Sequence, residues 1–133
     1  MAENQSARKW SIAEIRKLFS MEFGVLEERV RFFEVEPPAN WLKTGDDAAR
    51  PGVYVYWHDG RVVKVGRSLT NARKRAYQHI QHDTQGKMKV LENDPNARIL
   101  LFTVSLEDCR WAAAFEIFLE DRLHPAIPTQ RRG

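Results

Sequence analysis

The sequence is poor in cysteine and has no long apolar run, and each absence excludes a class of protein. Cys109 is the only cysteine among 133 residues, so no disulfide can form within the chain and no metal site can be built from cysteine pairs. No apolar run approaches the roughly 20 residues that a membrane-spanning helix requires. The first ten residues, MAENQSARKW, are polar and lack the apolar core of a secretory signal. We therefore expect an intracellular protein without a membrane segment.

Acidic residues are missing from one part of the chain. No Asp or Glu lies between Gly60 and His82. Six basic residues fall in the same interval: Arg61, Lys64, Arg67, Arg73, Lys74 and Arg75. A local positive field of this kind is typical of a surface that binds a polyanion such as nucleic acid. A solvated helix face gives the same pattern, and for a charge cluster alone it is the commoner explanation.

The composition of the chain changes near Pro51. Upstream, Ser11 and Glu14 form the spacing of a capping box, and apolar residues then recur at helical spacing, which predicts an amphipathic helix from Ser11 to Phe23. The run RVRFFEVE (29–36) is rich in β-formers and is consistent with a short strand. Two prolines at 37–38 and the polar segment 43–52 predict a loop. We therefore divide the chain into an N-terminal extension, 1–50, and a domain, 51–133.

The domain reads as strand, turn, strand, helix, strand, helix. The stretch GVYVYWHDGRVVKVGR (52–67) is a predicted β-hairpin that turns at 58–60. A helix capped by Ser68 or Thr70 follows to about residue 81, then a strand over 98–105 and a last helix from Ser105 to about Leu123. The pattern predicts an α+β fold with a small, three-stranded, mainly antiparallel sheet flanked by helices.

Side chains alternate along the first strand of the hairpin, and this assigns its aromatic residues to two faces. Tyr54 and Tyr56 share one face, while the other carries an apolar triplet of Val53, Val55 and Trp57. We expect the triplet to face the core and the tyrosine pair to face a site. Packing across the strands is the usual role of such tyrosines.

Glu116 is the only charge within the segment WAAAFEIFL of the last helix. On a helical wheel it shares a stripe with Ala112, Leu119 and Leu123, so we expect it on or beside the buried face. A carboxylate in that position needs a buried cation or a bound metal as its partner. A salt bridge to an arginine is the commoner of the two.

These elements together resemble the GIY-YIG nuclease superfamily over about residues 51–128. GVY (52–54) and KVG (64–66) look like the paired tripeptides of the first two strands, and Arg75 and His79 match the family's helix Arg and the His that follows it. Glu116 with Leu119 and Pro125 resembles the family's ExxL run before a proline. The chain departs from the family in three ways. Lys64 stands at the second tyrosine position, the helix arginine comes one residue late, and 128–130 replace the usual Asn after the proline.

The resemblance implies a metal-dependent endonuclease that hydrolyses phosphodiester bonds, with DNA favoured over RNA. Glu116 would hold Mg²⁺ or Mn²⁺, Arg75 would brace a phosphate oxygen, and Tyr54 or Lys64 would act in proton transfer. We expect nearby cations to lower the pKa of Tyr54 from its ordinary value near 10. His79 would orient Tyr54 or the attacking water.

Nucleic acid is the partner that this reading implies. Arg61, Arg67, Arg73 and Lys74 would bind it, and a homodimer or a partner protein would supply specificity. The alternative function is a catalytically inactive nucleic-acid-binding module with the same fold.

Overall fold

The computed structural model describes residues 8–36, 46–81, 88, 91–92 and 94–128. The loop predicted at 37–38 and residues 129–130 lie outside these ranges. The regular elements are helices α1 (Ile12–Phe23), α2 (Ala72–Gln81) and α3 (Trp111–Leu123), and strands β1 (Arg31–Val35), β2 (Gly52–His58), β3 (Arg61–Ser68) and β4 (Ala97–Thr103). The α+β class that the sequence predicts is confirmed.

The sheet has four antiparallel strands in the order β1-β4-β2-β3, so the prediction of three strands is wrong. The additional strand is β1, which pairs with β4 from Arg31 opposite Thr103 to Val35 opposite Ile99. The strand character of this segment is visible in its sequence. Its membership of the sheet depends on a partner more than 60 residues away, which local pattern does not reveal.

The predicted hairpin is confirmed, including its turn. Asp59 and Gly60 both adopt positive φ, at 49° and 89°, as a tight connection between twisted antiparallel strands requires. Glycine meets this requirement at position 60 without steric cost. A register shift between Tyr56 and Trp57 leaves Val63 of β3 without a register partner on β2, which is a bulge shortly after the turn.

Helices α1 and α2 begin at side-chain caps, whereas α3 has none, and two helix starts differ from prediction. The Ser11 and Glu14 capping box at the start of α1 is present in both directions. At α2 the backbone N–H of Lys74 donates to Asn71 Oδ1 at 2.9 Å, so Asn71 caps this helix rather than Ser68 or Thr70. The last helix begins at Trp111 rather than Ser105, because a short 3₁₀ turn precedes it.

Both faces of the sheet are buried. One face, with Val53 and Val55, packs under α1 and α3, and the other, with Tyr54 and Tyr56, packs under α2. Tyr56 has no exposed surface and donates its hydroxyl hydrogen to the carbonyl of Ala76. Tyr54 is only 2% exposed and belongs to the same buried cluster, so neither tyrosine side chain faces an open surface, and Tyr56 in particular belongs to the core.

The N-terminal helix is built into the first of these cores. The Phe19 ring stacks on Phe102 of β4 with 4.2 Å between centroids and meets Phe115 of α3 edge-on at 4.8 Å. Burying a large aromatic side chain contributes roughly 1.5–3 kcal/mol relative to exposure. Helix α1 therefore helps to hold the sheet and α3 together.

The chain beyond α3 returns along the outer edge of β3. The backbone N–H groups of Ala126 and Ile127 donate to the carbonyls of Val62 and Val63, at 3.1 and 2.8 Å. Residues 126–127 thus satisfy backbone groups on the side of β3 that faces away from β2.

None of the helices within the described ranges is long and apolar enough to cross a membrane.

Candidate functional site

The candidate site is built around the side chain of Tyr54, which lies against Gly66 on the neighbouring strand. The two residues are register partners, and a Cβ at position 66 would meet the Tyr54 ring at 2.5 Å and its hydroxyl at 2.6 Å. Such distances are far inside van der Waals contact, so only glycine leaves room for the ring. Gly66 therefore sets the position of the tyrosine hydroxyl.

Two residues of α2 act on that hydroxyl. Nδ1 of His79 lies 3.3 Å from the Tyr54 oxygen. The Arg75 guanidinium acts on the same group through its charge and a side-chain hydrogen bond. Because Arg75 and His79 are one helical turn apart, α2 presents both to β2. The structure thus brings His79 and Arg75 to the Tyr54 hydroxyl.

The electrostatics of Tyr54 differ from the sequence-based expectation. Burial raises the pKa of Tyr54 to about 12 from its ordinary value of 10.0. Arg75 lowers the pKa and the negative charge of Glu116 raises it, but desolvation is the largest cause. The expectation that nearby cations bring this pKa below 10 is wrong for the free protein, whose Tyr54 is protonated at neutral pH.

Glu116 lies on the buried face of α3, as its place in the helical stripe predicts, and is 3% exposed. Its Oε1 accepts a hydrogen bond of 2.7 Å from Nη1 of Arg67. Arg67 is the register partner of Val53, so it lies on the sheet face that α3 covers. The arginine partner that sequence reasoning left open is therefore on the hairpin. The pair lies on the α3 face of the sheet, whereas Tyr54 lies on the α2 face, and the charge of Glu116 still raises the pKa of Tyr54.

Sequence reasoning missed this role of Arg67, which it assigned to nucleic acid and to the cations near Tyr54. The signal that locates the pair is the strand register. Once Tyr54 is aligned with Gly66, Arg67 must face α3. That register depends on the bulge beside the hairpin turn, which the sequence pattern alone does not reveal.

The remaining predicted residues occupy different parts of the surface. Lys64 is half-buried opposite Tyr56, on the same sheet face as Tyr54. Arg73 is half-buried and Lys74 exposed near the start of α2. Arg61 is exposed at the turn end of β3, roughly 20 Å from Arg67 at the usual rise per strand residue. The basic residues thus extend along β3 and α2 rather than converging on one point.

A groove of about 660 Å³ lies away from Tyr54, where β4 ends and β1 begins. Arg29 approaches Asp108 at 3.4 Å, and Asp47 is approached by Arg50 at 3.2 Å and Arg31 at 3.8 Å. The groove is lined by carboxylates as well as arginines and by none of the predicted site residues. The carboxylates of this groove offset the attraction of its arginines for a polyanion, so the Tyr54 region remains the better candidate for a nucleic-acid site.

The donor set around Glu116 is compatible with Mg²⁺ or Mn²⁺. Within the parts of the chain that the structure describes, no three or more His, Cys, Asp or Glu residues gather into a potential metal cluster. Mg²⁺ commonly keeps several waters and takes one or two carboxylates together with substrate phosphates. A single glutamate can supply the one carboxylate of that mode, and it does not fit an enclosed zinc site.

Comparison with known proteins adds no relative to these observations. No protein-family model matches the chain, and neither the curated proteins nor the solved structures give a match.

Proposed function

We propose that the protein is a divalent-metal-dependent endonuclease that hydrolyses phosphodiester bonds, with DNA favoured over RNA. One observation carries the proposal: the Tyr54 hydroxyl meets Nδ1 of His79 at 3.3 Å and a hydrogen bond from Arg75, with the Glu116 charge close by. A proton carrier, a permanent cation and a carboxylate are the groups that phosphodiester hydrolysis needs. The resemblance to GIY-YIG nucleases supports the same assignment.

Arg75 is exposed, so its guanidinium can receive a phosphate oxygen while it remains beside Tyr54. A planar, permanently charged fork is well suited to that task. In this role Arg75 orients the scissile phosphate and offsets the negative charge that develops on it.

Tyr54 and His79 handle the proton. With its pKa near 12, Tyr54 keeps its hydroxyl hydrogen at neutral pH. It can accept a proton from water only if its own passes to Nδ1 of His79, 3.3 Å away. Lys64, on the same sheet face, is the other candidate for proton transfer.

Glu116 would hold the divalent cation. When bound, the cation supplies charge neutralisation at the phosphoryl and leaving oxygens. Glu116 itself contributes a carboxylate from the buried face of α3, where Arg67 is its partner in the free protein.

A second candidate function is a nucleic-acid-binding module without catalysis, and the Arg67–Glu116 ion pair favours it. At 2.7 Å, Arg67 satisfies a buried carboxylate without any metal. In that reading the basic residues of β3 and α2 bind phosphates and Tyr54 only packs.

The two functions are separated by incubating the protein with plasmid DNA, branched DNA and RNA in Mg²⁺, Mn²⁺ or EDTA. We expect at least one substrate to be cut with a divalent cation and none with EDTA. Tight, salt-sensitive binding without cleavage of any substrate would establish the binding module instead.

A further inference from the structure

The ion pair between Arg67 and Glu116 has unequal ends. The Arg67 side chain is 38% exposed, whereas that of Glu116 is only 4% exposed. A ligand from solvent therefore reaches the guanidinium far more easily than the carboxylate. Arg67 thus shields the Glu116 carboxylate from solvent while remaining accessible to solvent itself.

The exposed end is suited to a phosphate. Its bond to Glu116 uses Nη1, and a guanidinium carries five N–H donors in a planar fork. Arg67 also lies within the stretch between Gly60 and His82 that contains no acidic residue. A phosphate that approaches β3 meets Arg67 without carboxylates from that stretch repelling it.

The Glu116 carboxylate, which is the buried end, cannot bind both the Arg67 guanidinium and a divalent cation equally well. Glu116 Oε1 already accepts from Arg67 at 2.7 Å, and the positive charge of the guanidinium repels a divalent ion at the same carboxylate. A metal ion would therefore bind Glu116 more tightly once Arg67 has turned away.

We propose that Arg67 is an exchangeable partner of Glu116, paired with the carboxylate in the free protein and with a nucleic-acid phosphate in the complex. The inference rests on the proposed function, because it gives Glu116 the role of metal ligand. Nucleic acid and cation then bind cooperatively. A phosphate draws Arg67 away from Glu116 and so favours the cation, while a cation on Glu116 releases Arg67 for the phosphate; the coupling is reciprocal. The free protein keeps its cation site closed until a phosphate arrives.

The test measures Mn²⁺ affinity of the free protein by electron paramagnetic resonance, without nucleic acid. Arg67→Gln removes the competing charge and is expected to bind Mn²⁺ roughly 5- to 150-fold more tightly than the parent, the usual range of a coupling between sites. The double variant Arg67→Gln, Glu116→Gln is the matched control and should lose the gain. An affinity equal to the parent's, or a gain that survives in the double variant, would overturn the inference.

Arg67→Gln leaves a buried carboxylate without its arginine and can fail to fold. Arg67→Lys is then measured instead, because an ammonium cannot reproduce the planar fork and holds the carboxylate less well. Tighter Mn²⁺ binding than the parent's supports the inference, and an unchanged affinity overturns it. The measurement does not depend on cleavage. If Mn²⁺ binding becomes tighter in the Arg67 variant but the protein cuts no substrate, the nuclease proposal is rejected and the exchange of Arg67 is retained.

Discussion

The hydroxyl oxygen of Tyr54 on β2 lies 3.3 Å from Nδ1 of His79 on α2. This contact joins the sheet to the helix at the point where Arg75 also acts, and it places His79 Nδ1 within hydrogen-bond reach of the tyrosine hydroxyl. The neighbouring Tyr56 makes a different contact, with the carbonyl of Ala76 inside the core. Two tyrosines two residues apart therefore have distinct expected roles.

Tyr54→Phe and Tyr56→Phe should separate catalysis from packing. Tyr54→Phe is expected to abolish most cleavage, since it removes the group proposed to carry the proton. Tyr56→Phe should retain cleavage but lower the free energy of unfolding by about 1 kcal/mol, the usual net value of one hydrogen bond. Cleavage assays and urea unfolding of both variants check this. Equal cleavage by Tyr54→Phe and the parent would contradict the assignment of Tyr54.

His79→Ala should lower the cleavage rate by about 10²-fold, because Tyr54 then has no imidazole to take its proton. His58→Ala is the matched control. His58 pairs with Asp94 at 2.7 Å near the hairpin turn, so its loss should leave the cleavage rate unchanged. Rates under single-turnover conditions in Mg²⁺ distinguish the two. Similar losses in both variants would point to a general effect on folding rather than a role for His79.

The raised pKa of Tyr54 predicts a stability that falls at alkaline pH. The folded protein keeps the phenol proton up to about pH 12, whereas the unfolded chain releases it near 10.0. The folded state therefore binds more protons in this window, and the free energy of unfolding decreases by about 1.4 kcal/mol for each pH unit above 10. Below pH 10 this group adds no pH dependence.

The measurement is urea unfolding of the parent and Tyr54→Phe between pH 8 and pH 11, limits chosen to bracket the onset at roughly 10. The difference between them isolates Tyr54 from the lysines that titrate in the same range. Tyr77→Phe serves as a second control, since the Tyr77 hydroxyl accepts a hydrogen bond from Gln81 on the surface of α2. A parent curve parallel to that of Tyr54→Phe would show that the phenol is not protected by burial.

Gly66→Ala should displace the Tyr54 ring. The added methyl would lie 2.5 Å from ring carbons, and overpacking of this kind typically costs about 1–3 kcal/mol. Cleavage should fall with stability, because the hydroxyl moves away from His79. Gly24→Ala is the control, since nothing lies within 4 Å of a Cβ there and its φ is −58°. Thermal unfolding of both variants, with only Gly66→Ala destabilised, would agree with this account.

Glu116→Gln and Arg75→Ala should both lower cleavage by about 10²–10³-fold, the usual effect of removing one electrostatic stabiliser. Their binding to DNA in EDTA should differ. Glu116→Gln removes a negative charge and should bind equally or more tightly, while Arg75→Ala should bind more weakly with a smaller salt dependence.

Arg122→Ala is the matched control for loss of an arginine. Arg122 lies over the Phe118 ring on α3 and approaches Asp121, so its removal should spare cleavage. A Glu116→Gln protein that cuts as fast as the parent would remove the metal assignment.

The features that the sequence predicts correctly are those set by neighbouring residues. Ser11 and Glu14 identify the start of α1, and the turn at Asp59 and Gly60 identifies the hairpin. Glu116 follows from helical spacing alone. The pairing of β1 with β4 and the contact of Arg67 with Glu116 join residues far apart in the chain, so they depend on tertiary packing that no local pattern encodes.

The expectation for Tyr54 failed for a related reason. The sequence shows the charge of Arg75 but not the depth at which the phenol is buried. Under α2 the loss of hydration raises the pKa of Tyr54 by more than Arg75 lowers it. The charge pattern indicates that a nearby cation lowers the pKa of Tyr54. Only the packing shows that burial raises this pKa by more.

The return of residues 126–127 along β3 has a consequence for self-association. An unpaired strand edge is a template on which a second molecule can add its own strand. The hydrogen bonds from Ala126 and Ile127 to Val62 and Val63 occupy the part of that template nearest the hairpin turn. Removal of the returning segment would expose these two carbonyls and would favour strand addition by a second copy at that part of β3.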